Sequence, residues 1–117
     1  MVSIKKLGLS FRCAFEGLRI AFKEEQSFRI QVLVAILGLF LMFYLPLASF
    51  ERAILILTVM VVLSLELINT QVERVLDFCE PNHNPLIKKI KDLSAAAVLV
   101  VVFGAILIGF LIFFPYF

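Results

Sequence analysis

Ala53-Ile-Leu-Ile-Leu-Thr-Val-Met-Val-Val-Leu-Ser-Leu65 runs without a break into Glu66-Leu-Ile-Asn69-Thr70-Gln-Val-Glu73-Arg-Val-Leu-Asp77. The first half is apolar enough to enter a bilayer, and the second puts three carboxylates one or two turns apart. At about 100° per residue, Glu66, Thr70, Glu73 and Asp77 fall within about 60° of one another, with Asn69 on the flank. Ionisable groups held at membrane depth are costly, so such a stripe is a functional candidate by default. Oxygen donors in this arrangement suit something charged, above all a metal ion together with phosphate.

Composition agrees with a membrane chain. Of 117 residues, 62% are apolar and 17% charged, and mean hydropathy is +1.07. Soluble domains carry about 25% charged residues. The net charge of +2 is too small to point to a nucleic-acid partner. Cys13 and Cys79 have no CxxC spacing and suggest neither a disulfide nor a zinc site.

Outward from the stripe, the chain reads as an all-α integral membrane protein, a single domain over residues 1–117. Residues 5–24 form an amphipathic surface helix. Leu7, Phe11, Ala14, Phe15, Leu18 and Phe22 share one side; Lys5, Arg12, Glu16, Arg19 and Lys23 share the other. Such a helix can rest in the interface with its basic side toward anionic headgroups, or pack against the chain's own bundle. Transmembrane helices follow at about 29–47, 51–78 and 92–114, the first two joined by a turn at Pro46. Glu80-Pro81-Asn82-His83-Asn84-Pro85 breaks the second from the third. Ala95-Ala96-Ala97, Gly104 and Gly109 leave the third helix smooth enough for close contact with another helix.

Six of the eleven Lys and Arg precede Ile30, and four lie between Arg74 and Lys91. The positive-inside rule then places the N-terminus and the 78–92 connection in the cytoplasm and the C-terminus outside. Glu66 stands 14 residues from Arg52, about 21 Å along the helix. It is therefore expected just below the cytoplasmic headgroups, with Glu73 and Asp77 progressively nearer water.

From spacing alone, three kinds of chemistry stay open. The stripe can bind Mg²⁺ and phosphate for phosphoryl transfer, with Glu66 orienting the attacking hydroxyl and Lys91 and Asp92 near the phosphates. It can relay protons or ions in a small transporter. It can also be structural, sealing helix contacts or pairing with Arg74, Lys88 and Lys91 in a noncatalytic assembly subunit.

Glu66-Leu-Ile-Asn69-Thr70-x-x-Glu73-x-x-x-Asp77, a short Pro-containing loop, and then Lys91-Asp92-x-x-Ala95-Ala-Ala97-Val98 occur in that order. Together with Glu25-x-x-Phe28 and the three-span layout, this pattern resembles the prokaryotic diacylglycerol kinase family, which includes the undecaprenol kinases. The resemblance implies a small homotrimeric enzyme of the bacterial cytoplasmic (inner) membrane. It would move the γ-phosphoryl group of Mg-ATP to the primary hydroxyl of diacylglycerol or undecaprenol. Glu66 would be the catalytic base and Asn69 would help place the reacting groups. Glu25 and Glu73 would hold Mg²⁺. Lys91 and Asp92 would contact ATP, with Lys6, Asp77, Asn82, His83 and Asn84 around it. Arg12, Phe15, Arg19 and Ala95 would line the approach of the lipid. Gln71, and Asn84 before Pro85, depart from the family wording. Gln31 stands where the classical diacylglycerol kinases carry an acid; with the absence of Trp and the short Phe-Phe-Pro tail, it leans toward the undecaprenol kinases.

Overall fold

The computed structural model describes residues 3–117. It contains four α-helices: α1 (Ile4–Glu24), α2 (Gln26–Tyr44), α3 (Ser49–Cys79) and α4 (Pro85–Phe113), closed by a 3₁₀ turn at Phe114–Tyr116. The last three are each long and apolar enough to cross a membrane. α3 is central, with α2 and α4 packed against it.

Each junction has a local cause. Ser3 caps α1 by accepting from the Lys6 amide at 3.4 Å. Glu25 alone separates α1 from α2, in extended conformation (φ −112°, ψ 109°). Its amide still donates to Ala21 O at 2.9 Å, while its carbonyl accepts from Arg29 N at 3.2 Å. The corner is therefore one residue wide and keeps both helical ladders. Arg29 folds back over it, donating from Nη1 to Phe22 O at 3.0 Å and Lys23 O at 2.8 Å. Those carbonyls lack helical partners, and the guanidinium also suits the negative end of the α1 dipole.

At the opposite end, Glu51 Oε1 accepts from Ala48 N at 3.0 Å and from the Tyr116 hydroxyl at 3.2 Å. One carboxylate thus starts α3 and holds the final turn beside the α2–α3 connection. Met42, Leu47, Leu55 and Ile112 form the buried cluster here, with Leu39, Ile108 and Tyr116 against it.

Asn84 opens α4, its Oδ1 accepting from Leu86 N at 2.9 Å, and Pro85 takes the first position, where no amide donor is needed. The basic stretch Lys88–Lys91 is therefore helical, and the α3–α4 connection narrows to residues 80–84. Hydropathy marks where α4 becomes apolar; the cap decides where it begins.

Most apolar side chains face outward. Among the described residues only seven are buried, whereas Phe43, Leu99 and Leu111 are more than two-thirds exposed. Lipid or another protein must cover these surfaces. The glycines do not mediate packing within the chain: a Cβ added at Gly38, Gly104 or Gly109 would meet nothing within 4 Å. Close helix contact at Gly104 and Gly109 is thus absent inside a single copy. α1 stands apart, with Ala21 its sole buried residue. The molecule measures 50 × 42 × 27 Å. Helices packed 8–10 Å apart cannot give both larger dimensions, and the projecting α1 accounts for the second.

Candidate active site on the C-terminal half of α3

Helical periodicity on α3 aligns the stripe, and tertiary packing grades it. Glu66 is 7% exposed and is the one buried charged residue among those described. Asn69, Thr70 and Glu73 are partly buried, and Asp77 is exposed. The Gln31 amide of α2 lies beside the Glu66 carboxyl, and Glu25 and Glu73 are close enough to act on it electrostatically. Among the described residues Glu66 has no cationic partner.

Asn69 Nδ2 donates to Glu73 Oε1 across one turn at 3.3 Å. Its own Oδ1 is buried without a hydrogen-bond partner. A buried acceptor left unmet is costly, so this oxygen marks a place for a donor or a cation.

Three ion pairs, two of them from Arg74, frame the stripe. Arg74 bonds Glu25 at 2.9 Å and Glu24 at 3.2 Å, tying the α1–α2 corner to α3. Lys91 of α4 pairs with Asp77 of α3. Asp92, although adjacent to Lys91, faces elsewhere and pairs with Lys88 at 2.7 Å.

Beside Gln31, an apolar groove of about 420 Å³ opens between α2, α3 and α4, lined by Val34, Gly38, Val62, Ala105 and Phe113 among others. Gln31 touches both this groove and Glu66.

The family profile described as prokaryotic diacylglycerol kinase matches residues 12–113. The chain belongs to the prokaryotic diacylglycerol kinase family. It is similar to the diacylglycerol kinase of Helicobacter pylori J99, 36% identical over 80% of this chain and 74% of that one. It is also similar to the undecaprenol kinase of Bacillus subtilis 168, 35% identical over 91% and 86%. The diacylglycerol kinase of Escherichia coli K12 is 31% identical over 89% and 82%.

Of the residues that the likeness to prokaryotic diacylglycerol kinases singles out, the structure gathers Glu25, Glu66, Asn69 and Glu73 on one side of α3. Asp77 and Lys91 join them toward the C-terminal end of α3. The others lie apart within one copy. Lys6 is 19 residues before Glu25, about 28 Å along α1. Arg12, Phe15 and Arg19 are exposed on that helix, with Arg19 near Glu16 at 3.8 Å. Ala95 is exposed on α4. Asn82 and His83 are exposed in the loop, where the Asn82 amide donates to Glu80 at 3.4 Å. Arg74's clasp on Glu24 and Glu25 is the main feature that linear spacing leaves unspecified, since it depends on where the α1–α2 corner lands.

Proposed function

We propose that the chain transfers the γ-phosphoryl group of ATP to the primary hydroxyl of a membrane lipid, with Glu66 as the general base. Its family makes it a lipid kinase, and a kinase takes its phosphoryl group from ATP. The observation that carries the mechanism is the buried Glu66 carboxyl, without a cationic partner among the described residues and beside the neutral Gln31. A carboxylate neutralised by a salt bridge would be a poor proton acceptor. Here the lipid hydroxyl approaches Glu66, its oxygen attacks the γ-phosphorus, its proton passes to the carboxylate and ADP leaves. The groove ending at Gln31 gives the lipid chain an apolar path to that point.

Mg²⁺ would be held by Glu25 and Glu73, with Asn69 beside them. The orphaned Asn69 Oδ1 and the all-oxygen donor set fit this ion. Among the described residues no three carboxylate, histidine or cysteine side chains converge on a metal. That suits Mg²⁺, which commonly takes one or two carboxylates and completes its shell with phosphate and water. When bound, Mg²⁺ would neutralise phosphate charge. Lys91 and Asp92 would hold the nucleotide, with Asp77 orienting Lys91 and with Lys6, Asn82, His83 and Asn84 around it. Arg12, Phe15 and Arg19 would lie at the anionic lipid surface, with Ala95 on the lipid's path.

Three copies would complete three sites, since the smooth glycine face and the exposed apolar sides of α2 and α4 need partners. A second copy also offers Lys6 a site that its own chain does not bring near. The orientation is cytoplasmic for the N-terminus and the stripe, and external for the C-terminus, in the inner membrane. Undecaprenol is the preferred acceptor, on the strength of the neutral Gln31.

Phosphoryl transfer in mixed micelles with Mg-ATP and either undecaprenol or diacylglycerol tests this reading. Glu66→Gln is expected to lower turnover by about 10²–10⁴-fold. Full turnover in that variant would remove Glu66 as the base, and phosphorylation of diacylglycerol alone would reverse the choice of lipid.

A further inference from the structure

Glu25, the joint between α1 and α2, is already occupied by a cation of the chain itself. Arg74 Nη2 lies 2.9 Å from Glu25 Oε1 and 3.2 Å from Glu24 Oε1. The other nearby cations have different partners: Arg29 is spent on the α1 carbonyls, and Lys91 on Asp77. Among the described residues Arg74 is thus the cation that balances the corner carboxylates, one of which, Glu25, is near enough to act electrostatically on Glu66. It is also half exposed (48%). A pair so open to water is weak and exchangeable.

We propose that Arg74 is a placeholder for the divalent cation. It holds Glu25 until Mg²⁺ arrives, and gives that carboxylate up when the metal binds. The inference rests on the reading of Glu25 and Glu73 as metal ligands. It adds that metal binding and release of the α1–α2 corner from α3 are one linked event. A guanidinium and a divalent cation crowded onto the same carboxylate oxygen repel each other, and Glu24 gives Arg74 another partner to fall back on when the metal arrives. By linkage, the factor by which Arg74 weakens metal binding equals the factor by which metal weakens the clasp. Arg74 is a positioning residue here, acting through Glu25.

The sign of its effect on metal affinity separates this role from a fixed staple. Mn²⁺ alone, titrated into the full chain in detergent micelles and read by electron paramagnetic resonance, supplies the measurement without turnover. Arg74→Gln is expected to bind Mn²⁺ about two- to fivefold more tightly, the range matching a surface pair worth up to about 1 kcal/mol. Arg74→Lys should restore much of the wild-type affinity. A staple would give the reverse, because a loosened corner would misplace Glu25; unchanged or weaker binding overturns the proposal. Wild-type protein supplies a second readout that needs no variant. Mn²⁺ should speed modification of Arg74 by an arginine reagent such as phenylglyoxal, with Arg12 and Arg19 as internal references, and unaltered or slower labelling counts against exchange. Glu25→Gln with Glu73→Gln distinguishes the two levels. If that double variant binds Mn²⁺ like wild type, the metal assignment fails and the placeholder with it. If it loses binding while Arg74→Gln shows no gain, only the placeholder fails.

Discussion

Asn69 gives its amide nitrogen to Glu73 and thereby turns its carbonyl oxygen into a buried acceptor with no partner. The two residues form a unit: one hydrogen bond fixes the carboxylate and leaves the amide oxygen beside it unpaired. Removal of that unit should affect turnover more than folding. Asn69→Ala is expected to lower kcat by about 10–100-fold, with the thermal midpoint close to that of wild type. Parallel steady-state kinetics and thermal melts check this; a fall in stability with kcat intact would make Asn69 a helix-packing residue.

Lys91 is held by Asp77 across the α3–α4 contact, so the pair positions a cation beside the stripe. Lys91→Met should raise the KM for ATP by about tenfold, and Asp77→Asn by less, because the lysine remains. The double variant should cost less than the product of the two, since both act through one group. Nucleotide titrations of the four proteins give the coupling, and independent effects would show that the two residues act separately.

Tyr116 meets Glu51 at the end of the molecule remote from the stripe. Tyr116→Phe removes one hydrogen bond and little volume. A loss of about 1 kcal/mol in stability is expected, with kcat and KM unaltered. Thermal unfolding in a single fixed detergent, alongside the kinase assay, decides it.

Arg29→Met strips the cap from the end of α1 while keeping an apolar stem of similar length. Amides around Ala21–Glu24 should exchange with deuterium several-fold faster, at about the level expected for losing a favourable charge at a helix terminus. Exchange over Leu55–Val62 is the control and should stay constant. Equal acceleration in both regions would mean global loosening instead.

The stripe on α3 was legible because a 3.6-residue period reads straight from spacing, and the three apolar segments because hydropathy accumulates over many residues. Pro85 and the asparagines before it announced the break ahead of α4. The α1–α2 corner is harder to read. The end of the amphipathic pattern at residue 24 locates it, but Glu24-Glu25-Gln26 contains no Gly or Pro, and what holds the bend becomes visible only once Arg29 and Arg74 are seen clasping it. Neighbours in sequence also mislead. Lys91 and Asp92 share a motif, yet a rotation of about 100° per residue gives them Asp77 and Lys88 as separate partners. Gly104 and Gly109 look like packing residues, yet a Cβ on either would meet no neighbouring helix of their own chain.

With seven apolar side chains buried among the described residues and dozens facing outward, this fold has hardly any interior to call its own. Its medium takes the place of a core. A melting temperature measured in one detergent is therefore a property of the protein–amphiphile particle, and ranking variants across different detergents would compare solvents as much as sequences.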